Sequence, residues 1–252
     1  MLSKSQINFV KLLHQKKNRK EAGLFIVEGD KSIAEFTHST YIIDTIFYTA
    51  KSALKLGILS QNVKLFEIKD ADLQKISTLN TPQQALAIVR IPENKPDNTF
   101  KLLNDTFTLV LDTIQDPGNL GTIIRTADWF GFKQIICSLE TVEAYNPKVV
   151  QASMGSLARM QVNYTDLTIL LQNCNLPIYG ALLDGKSIYE INFPPAGLLV
   201  LGNEGNGITD AVRKLVTHSA AIPRFGMAES LNVAVSAAIF CMEIKKSSVN
   251  NK

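Results

Sequence analysis

Three short polar segments hold the residues whose types and spacing could do chemistry. They are Asp116-Pro117-Gly118-Asn119-Leu120-Gly121-Thr122-Ile123-Ile124-Arg125, Leu201-Gly202-Asn203-Glu204-Gly205-Asn206-Gly207 and Ile222-Pro223-Arg224-Phe225-Gly226-Met227-Ala228-Glu229-Ser230-Leu231-Asn232. Each carries glycine and directly follows an apolar strand-like run, where an α/β protein builds a ligand site beyond the carboxyl ends of its strands. In the first, Asn119 is expected to cap the following helix, while Gly118 and Gly121 let backbone approach a ligand or another segment. Arg125 falls on the second turn of that helix among Ile123, Ile124 and Ala127. An arginine there is either paired with Asp112, Asp116 or Asp128, or aimed at an anionic ligand.

The second segment has the look of a nucleotide loop, and its details argue otherwise. Gly202, Gly205 and Gly207 give G-x-x-G-x-G rather than G-x-G-x-x-G, and no lysine with serine or threonine follows to grip phosphate. Glu204 inside the loop would repel a pyrophosphate, so a neutral or cationic ligand, or one held by ribose and adenine, suits it better. The alternative is a plain glycine-rich turn. In the third segment Ser230 is placed to cap the last helix, with Glu229 beside the positive end of the helix dipole or holding Arg224 or Arg125. The backbone N–H groups of Leu231 and Asn232 would then form a cradle. Val233, Val235, Ala237, Ala238, Ile239 and Met242 leave that helix almost no polar face, which predicts burial against the sheet or another chain.

Other chemistries find little support. His14, His38 and His218 form no triad or metal spacing, and Cys137, Cys174 and Cys241 lack the C-x-x-C pairing of a zinc site or a disulfide framework. They are expected to be buried thiols, and no metal is expected. No apolar run approaches the roughly 18 residues of a membrane span, which makes a cytoplasmic location the expectation. Residues 1–95 hold 14 Lys and Arg against 9 Asp and Glu, whereas the remainder holds 12 against 14. The first twenty residues carry Lys4, Lys11, Lys16, Lys17, Arg19 and Lys20 with no acidic residue. Such a cluster is either a polyanion-facing surface, which gains affinity by releasing counterions, or a solvated helix face.

Periodicity supplies the elements that must position these residues. A helix over Ser5–Gln15 precedes a strand at Leu24–Val27, a helix at Ser32–Phe36, strands at Tyr41–Thr49, Val63–Ile68 and Ala85–Ile91, and helices at Lys51–Leu59 and Ala71–Ile76. This small α/β domain, residues 1–95, ends in a polar linker, 96–105. In 106–252 apolar strands at 108–111, 134–137, 161–163, 178–181, 197–201 and 220–222 alternate with helices at 120–130, 147–157, 167–172, 208–216 and 230–246. That alternation predicts a mostly parallel sheet with helices on both faces.

Taken together, N-x-G-x-x-x-R, G-N-E-G-x-G and I-P-x-x-G-x-x-E-S-L-N-V-A-V-x-A-A-I resemble, in order and spacing, the three motifs of SpoU/TrmH-type RNA ribose 2′-O-methyltransferases. The resemblance covers about residues 105–245. The front part, with Phe25-Ile26-Val27-Glu28-Gly29, is similar to the small RNA-binding domain that many of these enzymes carry. The resemblance implies a C-terminal deep trefoil knot that binds S-adenosyl-methionine, with Gly202, Ile222 and Leu231 lining the slot and Leu182, Leu201 and Gly205 nearby. It also implies a homodimer through the knot domains, with each active site drawing on both chains. Arg125, Asn119, Glu204, Ser230 and Asn232 become the catalytic candidates, and Lys16, Lys17, Arg19 and Lys20 the RNA-binding ones. A guanidinium is a poor proton acceptor, so Arg125 is expected to stabilise the developing alkoxide and a neighbouring phosphate rather than act as base. Ribosomal RNA is the favoured substrate; a tRNA methyltransferase or a catalytically silent RNA-binding factor of the same fold are the alternatives.

Overall fold

A computed structural model describes residues 2–54, 62–92 and 106–250, with side chains up to residue 247. The expected linker 96–105 and most of the expected helix Lys51–Leu59 lie outside the described residues, and residues 51–54 are not helical. The chain forms two compact units, one of residues 1–94 with 143–159 and one of 95–142 with 160–252.

The front unit is a four-stranded sheet with helices. Strands β1 (Leu24–Glu28), β2 (Ile43–Tyr48), β3 (Lys64–Glu67) and β4 (Ala85–Arg90) lie in the order β1-β4-β2-β3, antiparallel except for the parallel β2–β3 pair. The N-terminal segment is broken into two helices, α1 (Lys4–Leu12) and α2 (Lys16–Ala22). The first is closed at its start by a Ser3–Gln6 capping box, and the second ends on Gly23, whose left-handed φ of 64° suits glycine alone without strain. Helices α3 (Asp30–Thr37) and α4 (Asp70–Ile76) complete the first stretch of this unit. The later stretch adds α5 (Pro147–Ala152), which packs on β1. Tyr145, just before this helix, joins Phe25, Phe36 and Tyr41 in an aromatic cluster whose two phenylalanines are buried and whose two tyrosines are half-buried.

One expectation is corrected here. Arg19, placed by charge among the RNA-facing cations, is 2% exposed and donates to Glu143 and to the Leu13 carbonyl. On α2 it lies on the inward face, whereas Lys16, Lys17 and Lys20 are exposed. Periodicity separates these faces only once the break at residues 13–15 is known, because the break resets the helix phase.

The second unit is a six-stranded, all-parallel sheet in the order β10-β8-β9-β5-β6-β7. Its strands are β5 (Phe107–Leu111), β6 (Gln134–Cys137), β7 (Gln161–Tyr164), β8 (Ile178–Ser187), β9 (Gly197–Leu201) and β10 (His218–Ala221). Every residue of β5, β6 and β9 is buried, as a parallel sheet covered on both faces requires. Helices α7 (Leu167–Gln172) and α8 (Asp210–Arg213) pack on one face, burying Leu170, Leu171 and Val212 against Val110, Ile136 and Val200; here α6 denotes Pro117–Trp129. The last helix, α9 (Val233–Asn250), packs against α6. Cys137 and Cys241 are buried, and burial pushes the Cys241 thiol up to about 12, while Cys174 is half-buried.

Strand β8 runs longer than its apolar stretch suggests. Strand β10 pairs first with Tyr179 and Gly180, then with Lys186 and Ser187, so residues 181–185 leave the ladder between two short pairings. Gly185 sits against the Ala220 backbone, where a Cβ would collide.

The buried Arg19–Glu143 pair yields a stability prediction. Removing one partner of such a pair leaves a charge without compensation, so Glu143→Ala should cost about 3 kcal/mol in denaturant unfolding. An unchanged unfolding midpoint would show that the pair contributes nothing to the front unit.

Candidate functional site

The order of strands in the second sheet reverses between β5 and β9: from β5 the chain moves outward through β6 and β7, then crosses to β8, β9 and β10 on the other side. Crevices for ligands form outside the carboxyl ends of parallel strands at such a switch point. The first two polar segments follow the carboxyl ends of these two strands, and the third follows β10.

In the first segment the helix starts earlier than expected. Asp116, not Asn119, is the cap: its carboxylate accepts the Asn119 N–H at 2.8 Å and Pro117 occupies the first helical position. This frees the Asn119 side chain, which donates to Glu204 of the second segment and accepts from Asn232 Nδ2 at 2.9 Å. Asn232 Oδ1 in turn accepts the N–H groups of Ala234 at 2.9 Å and Val235 at 3.3 Å, so Asn232, rather than Ser230, caps α9. Ser230 misses that role because the helix begins at Val233.

The sense of this chain follows from the groups themselves. A carboxylate only accepts, so Asn119 must present its amide nitrogen to Glu204; its carbonyl then faces Asn232, whose own carbonyl faces the helix. Three loops separated by up to 113 residues are joined by one oriented run of hydrogen bonds. It links the acceptor Glu204 to the positive end of the α9 dipole.

Arg125 is exposed on α6 and has no hydrogen-bond or ion-pair partner among the described residues. Two of its expected carboxylate partners are otherwise engaged: Asp112 accepts from the Thr209 N–H and hydroxyl at 2.7 and 2.8 Å, and Asp116 caps the helix. Neither expected contact of Glu229 with Arg125 or Arg224 forms; Arg224 reaches the Ala228 carbonyl at 3.4 Å. Ser230 is exposed and free of hydrogen-bond partners among the described residues.

The other candidates occupy the rim of the same loops. Gly202 lies against the backbone of Gly207 and Ile208, where a Cβ would overlap both, because Asn203 and Gly207 exchange backbone hydrogen bonds of 3.0 and 2.8 Å. Gly205 is exposed on the turn so formed. Leu182 lies in the excursion of β8 and is half-buried against the apolar cluster that includes Ile208 and Val212. Ile222 is half-buried and Leu231 exposed. Leu201 differs, since its side chain is buried and only its backbone, bonded to the Asp112 N–H at 2.9 Å, faces neighbouring strands. The lysines Lys16, Lys17 and Lys20 belong to the front unit and are not part of this constellation. The sequence gives no sign that Asn203 and Thr209 hold the loops, and Asp112, expected as a partner of Arg125, accepts from Thr209 instead.

Residues 106–242 match the SpoU rRNA Methylase family, and residues 4–87 match an MRM3-like substrate binding domain. The chain belongs to the SpoU rRNA methylase family. It is similar along most of its length to the 23S rRNA (guanosine(2553)-2′-O)-methyltransferase of Bacillus subtilis, with 31% identity over 93% of this chain and 94% of that one. A protein of the TrmH family from Porphyromonas gingivalis superimposes with a TM-score of 0.86 at 38% identity, covering 98% of this chain and 99% of that one. An AdoMet-bound rRNA methyltransferase from Sinorhizobium meliloti gives a TM-score of 0.86 at 25% identity, over 98% and 96% of the two chains.

The hydrogen-bond run in this SpoU methylase carries a prediction. In Asn119→Asp a carboxylate replaces the donor facing Glu204, and two such groups at hydrogen-bond distance raise the proton affinity of the pair. The variant should therefore lose activity relative to the parent, and lose more of it at alkaline pH than at acidic pH, where a shared proton can restore the bridge. A pH-independent ratio of the two rates would show that Asn119 and Glu204 do not meet.

Proposed function

We propose that this protein transfers a methyl group from S-adenosyl-methionine to a ribose 2′-hydroxyl of ribosomal RNA. The observation that carries the proposal is the joining of Asn119, Glu204 and Asn232 at the start of α6, the helix on which Arg125 stands exposed with no hydrogen-bond or ion-pair partner among the described residues. The large-subunit rRNA substrate of the B. subtilis relative and the match of the front unit to a substrate-binding domain favour ribosomal RNA.

The residues fit the cofactor. Half-buried Leu182 and Ile222, with exposed Leu231, offer apolar contact for an adenine, the tight backbone of 202–208 offers hydrogen-bonding groups, and Glu204 complements a sulfonium charge. When bound, S-adenosyl-methionine supplies an electrophilic methyl group. Arg125 grips the phosphate beside the target ribose and stabilises negative charge as it builds on the 2′-oxygen. Asn119 and Asn232 hold Glu204 in place, and the free Ser230 hydroxyl binds ribose or phosphate. The proton of the 2′-hydroxyl would be taken by phosphate, by water or by the Glu204 carboxylate. Positioning of this kind contributes much of the rate in two-substrate reactions.

The return of the chain from edge strand β10 to Asn119 at the end of β5 is the part we assign to the trefoil knot. The active form is a homodimer. Val235 and Met242 on α9, and the 85%-exposed Trp129 at the end of α6, offer an apolar face for a second copy. The front unit, residues 1–95 in the main, binds RNA through Lys16, Lys17 and Lys20, and the enzyme works in the cytoplasm.

Arg125→Ala should lower kcat by at least a hundredfold while S-adenosyl-methionine affinity, read by calorimetry, stays within a few-fold; near-normal turnover would remove Arg125 from the chemistry. Replacing Lys16, Lys17 and Lys20 together by Ala should weaken RNA binding and reduce the slope of log affinity against log salt by about 2 to 3, roughly one per lost phosphate contact. An unchanged slope would make these lysines a solvated face.

A further inference from the structure

The turn that follows β5 contains a β-branched residue in a costly conformation. Thr113 has φ 58°, the left-handed region, which typically costs such a residue about 1–3 kcal/mol unless its surroundings hold it there. Three contacts do so. The Thr113 N–H donates to Ser138 Oγ at 3.0 Å, the hydroxyl donates to the Asp112 carbonyl at 2.8 Å, and the carbonyl accepts from Asn203 Nδ2 at 3.0 Å.

Asn203 is the residue before Glu204, and its side chain bonds at both its nitrogen and its oxygen. While Nδ2 reaches Thr113, Oδ1 accepts the N–H of Gly205 at 2.8 Å and of Asn206 at 3.4 Å, and the backbone pairs with Gly207. The connections close a ring. From Thr113 the chain runs to Asn119, a hydrogen bond crosses to Glu204, one peptide bond leads back to Asn203, and its amide returns to Thr113.

We propose that Asn203 is a positioning residue for methyl transfer: by tying the second loop to the strained Thr113 carbonyl, it fixes where Glu204 meets Asn119. This rests on the function proposed above. Asn203 itself touches no reacting atom, and its effect passes through Glu204. The strain at Thr113 turns that carbonyl toward Asn203, and the Asn203–Thr113 bond in return helps to hold the turn.

Asn203→Asp isolates the tie. It keeps an acceptor for the Gly205 N–H and replaces the donor to Thr113 with a group that only accepts. The melting temperature should stay within a few degrees of the parent, and kcat should fall at least tenfold. In a Glu204→Gln background the same substitution should lower kcat less than twofold, because the group it positions is already altered. Losses that multiply in the double variant, or an unchanged kcat in the single one, would overturn the proposal. A second readout is independent of turnover: hydrogen exchange over residues 112–116 should accelerate in Asn203→Asp, and unchanged exchange would likewise overturn the tie. If the parent protein transferred no methyl group, the proposed function would fail, and exchange would still report on whether Asn203 holds the turn.

Discussion

The arrangement of the second unit depends on one neutral side chain placed between a carboxylate and a helix start. Asn119 joins all three loops by hydrogen bonds, and it does so because an amide has both a donor and an acceptor end. An aspartate there would repel Glu204, and a serine would be too short to bridge both partners. A leucine would leave Glu204 and Asn232 without the contact that orients them. That Asn119 is free for this task follows from Asp116, which takes over the capping of α6.

The sheet makes the meeting possible. Loops after β5 and β9 are neighbours because these strands pair directly, Phe107 opposite Gly197 through Leu111 opposite Leu201. The loop after β10 is not a neighbour, since β8 and β9 lie between β10 and β5. The chain must therefore travel back across the carboxyl ends of the sheet before α9 can begin. The hydrogen bond from Asn232 to Asn119 marks its arrival, and the packing of α9 on α6 secures it. The path uses exposed and irregular residues such as Phe225 and Met227, 91% and 98% exposed.

Much of this was legible in the residues, and the exceptions have physical reasons. The glycine spacing and Glu204 argue against a dinucleotide loop because charge and close approach are local properties. The parallel sheet was readable because its central strands β5 and β9 are almost wholly apolar, and the strand at 134–137 and helix at 167–172 stand where periodicity puts them. Caps were read less well: Asn119 and Ser230 are good capping residues by type, yet Asp116 and Asn232 cap, since each helix start is set by where the chain turns. The packing of residues 143–159 with the front unit could not be seen, because Glu143 and Tyr145 carry no local sign of partners more than a hundred residues away. Arg19 failed for the same reason, its charge being read without its partner.

The account stands or falls on the loops acting as one site for one reaction. The most direct measurement incubates the purified protein with ribosomal RNA and methyl-labelled S-adenosyl-methionine, digests the RNA to nucleosides and locates the label by mass spectrometry, for the parent chain and for Asn119→Ala. The account predicts a labelled 2′-O-methyl nucleoside with the parent and at least a hundredfold less with the variant, which remains folded. Label on a base, or undiminished ribose methylation by Asn119→Ala, would contradict it.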